Sequence, residues 1–390
     1  MQGIPAQKFL SAILRNRKEH KSPTVNSLDG GTTGFILPLT LWMIAIFGLL
    51  AATINIWEAR AVANSQSLAK QAEFKLAQAN VLNELIFMLS VRPKSYRGLE
   101  VGMSSDNTNV NDLNALMAGP PDSGHTLKFD GRPFRVESNP DIVLSLQDET
   151  GLINLNSVNP TILRRALAAF NIPEPQIVRL IDTLLDYIDD DNLTRTAGAE
   201  KEEYARLNLP PPANSLLTTP FEAQNIIGWN ELDAVWEAEA MAPSFSTCRS
   251  AGFNLNTAPA RVLIATVRGL TQDKVGRALE KRAQKPFRNV QEFGAAADLL
   301  ITDEPFFYTF IAGNCFTVDL LDKPSGQLVR RSLMLDPTSQ SQPWRVNYEI
   351  RISSKFRPNL DQRLPEEIFP APESIYLLSG RNNGPSAGSQ

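Results

Sequence analysis

Histidine and cysteine are scarce in this sequence, with two of each among 390 residues. His20 lies near the start of the chain, and His125 stands alone in its middle. A Ser/His/Asp or Cys/His catalytic set needs an imidazole beside its nucleophile, so the scarcity argues against such hydrolases and we expect no enzyme. A glycosidase built on two acids between Asp186 and Glu203 is compatible with the composition, although no tryptophans cluster near them to form a sugar cleft.

Charge is absent from one long stretch, Gly34 to Trp57. About 20 apolar residues suffice for a helix to cross a ~30 Å hydrocarbon core, so we expect one membrane span here. The preceding residues are mainly basic, and the positive-inside bias therefore predicts a cytoplasmic leader with everything after Glu58 on the outer side. The charged residues in this comparison are Lys8, Arg15, Arg17, Lys18 and Lys21 against Glu19 and Asp29.

The entry to the span resembles that of a type IV prepilin, in which a polar, basic leader ends in glycine and an apolar run follows at once. The resemblance implies that a prepilin peptidase cuts after Gly34 and that Phe35 becomes a methylated N-terminus. The fifth residue after the cut is a glutamate in most pilins and is Leu39 here. An ordinary, uncut signal anchor is the alternative.

The sequence after the span predicts a continued helix. No proline or glycine occurs from Trp57 to Val91, and Pro93 follows. Apolar residues recur at steps of three and four, which is typical of an amphipathic helix, so span and continuation together predict one helix of roughly 55 residues. The predicted buried stripe comprises Leu68, Ala72, Leu76, Ala79, Leu82, Ile86 and Leu89.

Strand patterns flank a long helical stretch. Residues 125–138 and 142–147 come before it, after a loop-like segment from Gly98 to Gly124, and Asp130-Gly131 has the composition of a hairpin turn. Residues 307–321, 327–335 and 344–353 come after it. We expect an α+β fold with a long N-terminal helix, a mixed α/β head and an inserted, mostly helical domain. The predicted boundaries are a leader (1–34), a transmembrane half-helix (35–57), an outer half-helix (58–92), the head's first part (93–156), the insertion (157–300), the head's β part (301–379) and a disordered tail (380–390).

A short repeat marks both ends of the insertion. Asn154-Leu155-Asn156 and Asn254-Leu255-Asn256 are each followed by a hydroxyl residue, Ser157 or Thr257, and a nearby proline. This is helix-start chemistry, and it predicts Ser157 and Thr257 as N-caps. Ligand binding by the asparagines is the alternative.

These features together resemble the K-type minor pseudopilins of type II secretion systems, the GspK family. The resemblance rests on the uncharged span with Leu39, the Asn-Leu-Asn repeat, the run from Asp186 to Asp191, and Gly198-Ala-Glu before Tyr204. It implies a bacterial inner-membrane protein with a periplasmic, pilin-like head and bound calcium. It also implies a place at the pseudopilus tip beside the I-type and J-type minor pseudopilins, where the chain helps to initiate or cap the filament that exports folded proteins.

The acidic run requires a compensating cation. Asp182, Asp186 and Asp189 are four and three residues apart, so they share a helix face and repel one another. Compensation comes either from Arg195 and Lys201 around a solvated loop or from a bound metal. The resemblance implies calcium, which takes oxygen ligands. The candidate ligands are Asp186, Asp189, Asp191, Glu200, Glu202 and Glu203.

A basic segment, residues 268–293, resembles helix-hairpin-helix DNA-binding modules and supports a different function, that of a membrane-anchored DNA-uptake receptor. Such modules need a glycine-rich hairpin that meets the phosphate, whereas here an acid, Asp273, lies where the phosphate would approach. The chain's net charge of −4 also argues against phosphate binding, so we expect no nucleic-acid partner. The candidate phosphate contacts are Arg277, Lys281, Arg282, Lys285 and Arg288.

Both cysteines, Cys248 and Cys315, lie on the predicted outer side of the membrane. In an oxidising periplasm they are a candidate disulfide. Two unpaired, buried cysteines are the alternative.

Overall fold

The computed structural model describes residues 36–101, 126–157, 159–249, 252–302, 307–352 and 367–370. The chain divides into two compact units, Met1–Ala69 and Lys70–Gln390. The predicted leader, both residues of the predicted cut (Gly34 and Phe35), His125 and the predicted tail lie outside the described residues.

Helix α1 spans Ile36–Val91 and is 56 residues long, which confirms the predicted single helix. In the first unit all of its described side chains are exposed. In the second unit its buried stripe runs through Phe74, Val81, Leu85 and Met88. The predicted stripe is wrong in its first half, where Leu76 is exposed, because the sheet packs on the face of the helix that carries Phe74 and Val81.

A six-stranded sheet forms the core of the second unit, in the order β12-β11-β10-β5-β4-β13. Its neighbours are antiparallel except β13 and β4, which are parallel. One face packs against the buried stripe of α1 and forms a continuous core with Phe134, Leu144 and Phe316. The strands are β4 Asp130–Val136, β5 Ile142–Asp148, β10 Cys315–Asp322, β11 Leu328–Leu335, β12 Trp344–Ile352 and β13 Ile368–Phe369.

A smaller three-stranded sheet lies just after α1, made of β1 Lys94–Ser95, β2 Gly98–Glu100 and β3 Thr126–Leu127 in that order. The segment that we expected to be loop from Gly98 therefore begins as a strand. Leu99 and Leu127 are register partners, and both are buried in the core with α1. Their burial explains why a glycine-rich start still forms strand.

A mostly helical segment, residues 149–314, is inserted between two adjacent strands. β5 pairs with β10 along its whole length, from Ile142 opposite Asp322 to Asp148 opposite Phe316. The inserted segment has its own hydrophobic core around Leu184, Trp229 and Leu263. Its helices are α2 Pro160–Ala168, α3 Glu174–Ile188, α4 Lys201–Arg206, α5 Asp233–Met241, α6 Ala260–Thr266, α7 Gln272–Gln284 and α8 Val290–Ala297, with short parallel pairs β6 Ile153–Asn154 with β7 Phe245–Ser246, and β8 Phe253–Asn254 with β9 Tyr308–Thr309.

Helix α5 packs the inserted segment onto the sheet face opposite α1. Ala240 joins an apolar cluster with Leu321, Leu328 and Ile352 of the sheet. The buried Arg330 guanidinium donates to the backbone carbonyl of Glu239 at 2.6 Å. The chain is thus an α+β protein with a helical insertion, as predicted, although the insertion extends past the predicted limits of 157 and 300 at both ends.

The predicted hairpin turn at Asp130-Gly131 is wrong. These residues begin β4, and the register against β5 shifts between Asp130 and Pro133. Gly131 has a φ of +78°, so it supplies the unusual backbone angle of a β-bulge. Arg132 holds the bulge through an ion pair with Asp130 at 2.8 Å. The turn that joins β4 to β5 lies later, where the Ile142 N–H donates to the Asn139 carbonyl at 3.1 Å.

The predicted N-caps Ser157 and Thr257 are also wrong. Asn159 caps α2, because its side chain accepts from the Thr161 N–H, and Pro259 holds the cap position of α6. The Thr257 hydroxyl instead donates to the buried Asp148 carboxylate at 2.9 Å.

The asparagines of the repeat serve the fold. Asn154 and Asn254 each accept from the N–H two residues on at 2.9 Å. Asn156 accepts from the Leu217 N–H, and Asn256 from the Phe287 N–H, each at 2.8 Å. Their amides tie distant backbone segments together, which gives all four asparagines a structural role.

Candidate metal site

The acidic run folds around the last turn of α3. Asp186 is fully buried, and Arg195 Nη1 lies 2.5 Å from its Oδ1 and 2.5 Å from Asp189 Oδ2. The Arg195 backbone N–H also donates to Asp186 Oδ2 at 3.1 Å, and the Ala197 N–H donates to Asp182 Oδ2 at 3.0 Å. The repulsion expected between acids on one helix face is therefore relieved by the loop that follows the helix.

This loop brings three acids together. Asp189, Asp191 and Glu200 each offer one carboxylate oxygen, and the three oxygens lie within 4.8 Å of one another. Two ligands held about 2.4 Å from one calcium ion are at most ~4.8 Å apart, so one ion fits among them. Within the described part of the chain this is the one group of three or more such acids or metal-binding side chains.

The electrostatics of the group favour a cation. Asp189 Oδ1 and both oxygens of Glu200 are buried, and apart from a capping contact between the Glu200 side chain and the Glu203 N–H they lack hydrogen-bond donors among the described residues. Burial, followed by the nearby charges of Asp186, Asp189 and Asp191, raises the pKa of Glu200 above its usual value. A buried acceptor without a donor costs about 1–3 kcal/mol, and a hard cation removes that cost for several oxygens at once.

The other three predicted ligands lie outside the group. Asp186 is occupied by Arg195. Glu203 accepts from the Glu200 N–H at 3.1 Å and lies 3.2 Å from Arg206, and its backbone hydrogen bonds lower its pKa. Glu202 is exposed and lies 3.9 Å from Arg206. Both glutamates thus serve helix α4, whose first turn contains them.

Asn214 borders the site and was not predicted. Its amide nitrogen donates to the Asp191 carbonyl at 2.7 Å, and its Oδ1 is buried without a hydrogen-bond partner among the described residues. Twenty-three positions separate it from Asp191 in sequence. The sequence near the acidic run therefore contains nothing that predicts a role for Asn214 in the site.

The basic segment uses its cations within the chain. Arg282 Nη1 donates to the carbonyls of Leu255 and Ala258, and burial lowers its pKa to about 10. Arg277 lies 3.8 Å from Asp298, and Arg288 stacks over Tyr96 at 5.4 Å. Lys281 and Lys285 are exposed. Three of the five predicted phosphate contacts are therefore engaged elsewhere, which weakens the DNA-receptor alternative.

The two cysteines are paired. Cys248, just after β7, and Cys315, the first residue of β10, form a disulfide with their Cα atoms 6.5 Å apart. Both are buried. The bond ties the inserted segment to the sheet.

Helix α1 contains a stretch that is long and apolar enough to cross a membrane, and among the described residues it is the one helix that qualifies. A helix of this length and composition fits a single-pass membrane anchor.

Two models of one family, described as type II secretion system protein K, match residues 141–234 and 253–303. These two matches support a type II secretion minor pseudopilin of the K type. The chain is also similar to a chain in the crystal structure of the GspK-GspI-GspJ complex from enterotoxigenic Escherichia coli, with 16% identity, a TM-score of 0.48, and coverage of 74% of this chain and 98% of that chain. No curated protein sequence matches the chain.

Proposed function

We propose that the chain occupies the tip of the type II secretion pseudopilus, where it initiates or caps the filament that moves folded proteins across the outer membrane. The observation that carries this proposal is the uncharged first turn of α1, which contains Leu39 and no acid. In a pilin filament a carboxylate at this position neutralises the N-terminal amine of a neighbouring subunit. A chain with Leu39 lacks that acceptor, so a further subunit has no counter-charge to add against.

The inserted segment supports the same position. Residues 149–314 enlarge the head between two neighbouring strands, β5 and β10. A filament that repeated so large a head at every step would have to accommodate it between successive subunits. A single copy at the end avoids this requirement.

We infer the topology and partners from the similarity to protein K. We place the leader in the cytoplasm, the apolar part of α1 in the inner membrane and the head in the periplasm. Prepilin peptidase is the expected processing enzyme. The I-type and J-type minor pseudopilins are the expected neighbours at the tip.

We further propose that Asp189, Asp191 and Glu200 hold a calcium ion, with Asn214 Oδ1 as a neutral oxygen beside them. The ion supplies positive charge to three converging carboxylates. The chain's own part is to fix the loop: Arg195 anchors it to α3, and Glu203 holds the start of α4 next to Glu200. The site is thus a structural clasp for residues 189–200.

The position in the filament is tested by imaging. Chain labelled at an exposed head residue, expressed in place of the native copy, should mark one end of each pseudopilus. Label spread along the filament would contradict the proposal. The Leu39→Glu variant should secrete poorly or enter the filament in extra copies, whereas Leu39→Ile, which keeps the position apolar, should behave as the native chain.

A further inference from the structure

A groove of about 330 Å³ lies between helix α1 and the sheet, within the second unit. It opens beside β12, which is at one edge of the six-stranded sheet and has no strand on its outer side among the described residues. Its polar lining comes from Gln71, Lys75 and Gln78 of α1, from Arg331, Glu349 and Arg351 of the sheet, and from Gln327 just before β11.

The base of the groove carries hydrogen-bond donors that lack acceptors. Arg331 Nε donates to Glu349 at 2.7 Å, and its Nη2 donates to Gln78 Oε1 at 3.2 Å. Its Nη1 is buried with no hydrogen-bond partner among the described residues, and so is Gln78 Nε2. Gln78 is 3% exposed and Arg331 is 8% exposed, so neither group is freely solvated. Leaving such donors unpaired is costly, and an acceptor that reaches them is correspondingly favoured.

The charge of the groove specifies the acceptor. Lys75, Arg331 and Arg351 supply three cations, whereas Glu349 is the one acid in the lining. A guanidinium and an amide nitrogen side by side present several N–H groups in a fixed arrangement, which suits the two oxygens of a carboxylate. The excess of positive charge favours an ionised group over a neutral carbonyl.

The surroundings indicate that the carboxylate belongs to another protein chain. Leu76, next in sequence to Lys75 of the lining, is exposed on α1, and Val346 is exposed on the edge strand β12. A subunit that packed along α1 would cover these apolar side chains while its acid entered the groove. A small free acid would leave them exposed.

We propose that this groove receives an aspartate or glutamate side chain of a neighbouring minor pseudopilin that packs beside α1. This inference rests on the proposed function, because it takes the partner from the pseudopilus tip. The acid of the neighbouring subunit would enter at the groove, and not at the metal loop or the basic segment.

The test measures binding of the full, detergent-solubilised chain to the co-expressed I-type and J-type minor pseudopilins. Lys75→Glu and Arg351→Glu, each reversing a charge at the groove, should weaken binding roughly tenfold or more. The matched control is Arg345→Glu on the same strand, which reverses an exposed charge outside the lining and should leave affinity within about twofold. The weakening should be smaller at high salt, because ions screen the lost attraction.

A second variant separates binding from folding. Gln78→Glu keeps the side-chain shape and places a carboxylate next to Arg331 inside the chain. It should raise the thermal midpoint of the free chain by about 2 °C or more, because the unpaired Gln78 Nε2 is removed and the Arg331 guanidinium gains a charged acceptor. It should at the same time weaken partner binding, because the internal carboxylate fills the groove. A residue that merely supports the fold would not move these two quantities in opposite directions.

The outcomes distinguish the two levels of the proposal. If the native chain binds neither pseudopilin, the proposed function and the groove assignment are both overturned. If the native chain binds but the groove variants bind equally well, the groove is filled from within the chain or not used, and this inference alone is wrong. Rescue of Lys75→Glu by an acid-to-lysine change in the partner identifies the entering residue.

Discussion

Gly198 lies so close to Asp186 that a Cβ atom on the glycine would overlap the Oδ2 oxygen of the buried carboxylate. Asp186 is in turn held by the side chain and backbone N–H of Arg195. The glycine is therefore required by the close packing of the acidic loop on α3. This requirement accounts for the first residue of the Gly-Ala-Glu sequence that follows the acidic run.

Gly198→Ala should lower the free energy of unfolding by about 1–3 kcal/mol, because the added methyl must displace an anchored carboxylate. Thermal melting followed by circular dichroism measures the loss. Gly276→Ala is the matched control, since Gly276 lies within α7 and nothing is within 4 Å of an added Cβ. That change should be neutral or stabilise by up to about 1 kcal/mol. Equal melting of native chain and Gly198→Ala would contradict the packing argument.

Removal of calcium should destabilise the head. At a free concentration one hundred times the dissociation constant, a bound ion stabilises the folded chain by about 2.7 kcal/mol, and a chelator should remove that amount. Asp189→Ala with Asp191→Ala should abolish the response. Glu202→Ala, an exposed acid outside the group, should preserve it. A melting curve of the native chain that is unaffected by chelator would rule the site out.

Glu200→Gln should have opposite effects with and without metal. In chelator it should raise stability, because it removes a buried charge from beside two other acids, whereas in calcium it should reduce the metal response. The raised pKa of Glu200 sets the pH dependence. A carboxyl whose pKa is raised by folding destabilises the folded chain once it ionises. The metal-free native chain should therefore lose stability as the pH rises from the unfolded-state pKa of Glu200 through its raised folded-state pKa.

At low pH the native carboxyl is protonated and resembles the amide. The stabilisation by Glu200→Gln in chelator should therefore vanish there and grow toward neutral pH. A pH series of urea-unfolding midpoints measures it. A constant difference across the series would show that Glu200 does not titrate against its neighbours.

The Cys248–Cys315 bond closes a loop of 67 positions, for which chain entropy predicts about 4 kcal/mol of stabilisation. Thiol titration of the unfolded, unreduced chain should find no free sulfhydryl. The Cys248→Ser and Cys315→Ser double variant should unfold at lower denaturant and show no further loss on reduction. Two titratable thiols in protein from the periplasm would disprove the pairing in the cell.

Processing should remove the leader. Intact mass of the membrane-extracted chain should match a protein that begins at a methylated Phe35, because the peptidase reads the glycine at the membrane boundary. In cells without the peptidase the mass should include residues 1–34. An uncleaved chain in cells with active peptidase would support a signal anchor instead.

The long helix could be predicted because its signals are local and redundant. Uncharged length and the lack of breakers between Trp57 and Val91 both point to one element, whatever packs on it. The buried stripe could not be fixed in the same way. Phe74 and Val81 are buried because the sheet reaches them, and the sequence of the helix alone does not contain that information.

The turn and cap predictions failed because local signals have more than one use. Asp130-Gly131 provides a positive φ equally well for a hairpin or a bulge, and Arg132 decides for the bulge. Thr257 has good cap chemistry but gives its hydroxyl to Asp148, which is distant in sequence. The members of the metal group were predicted only in part for the same reason. The path of the loop brings Glu200 beside Asp189 and Asp191 and leaves Glu202 and Glu203 outside the group.

The insertion between β5 and β10 imposes an order of folding on the chain. As the chain is synthesised from its N-terminal end, β4 and β5 emerge together, but β10, the other neighbour of β5 in the sheet, emerges only after residues 149–314. The inserted segment has its own core, so it can fold first and bring its two ends together. Each doubling of a flexible loop adds only about 0.6 kcal/mol to its closure, and a folded insertion reduces even that. The folded insertion thus brings β10 next to β5. A variant in which the insertion is unfolded should leave the sheet without its later strands and therefore sensitive to proteolysis.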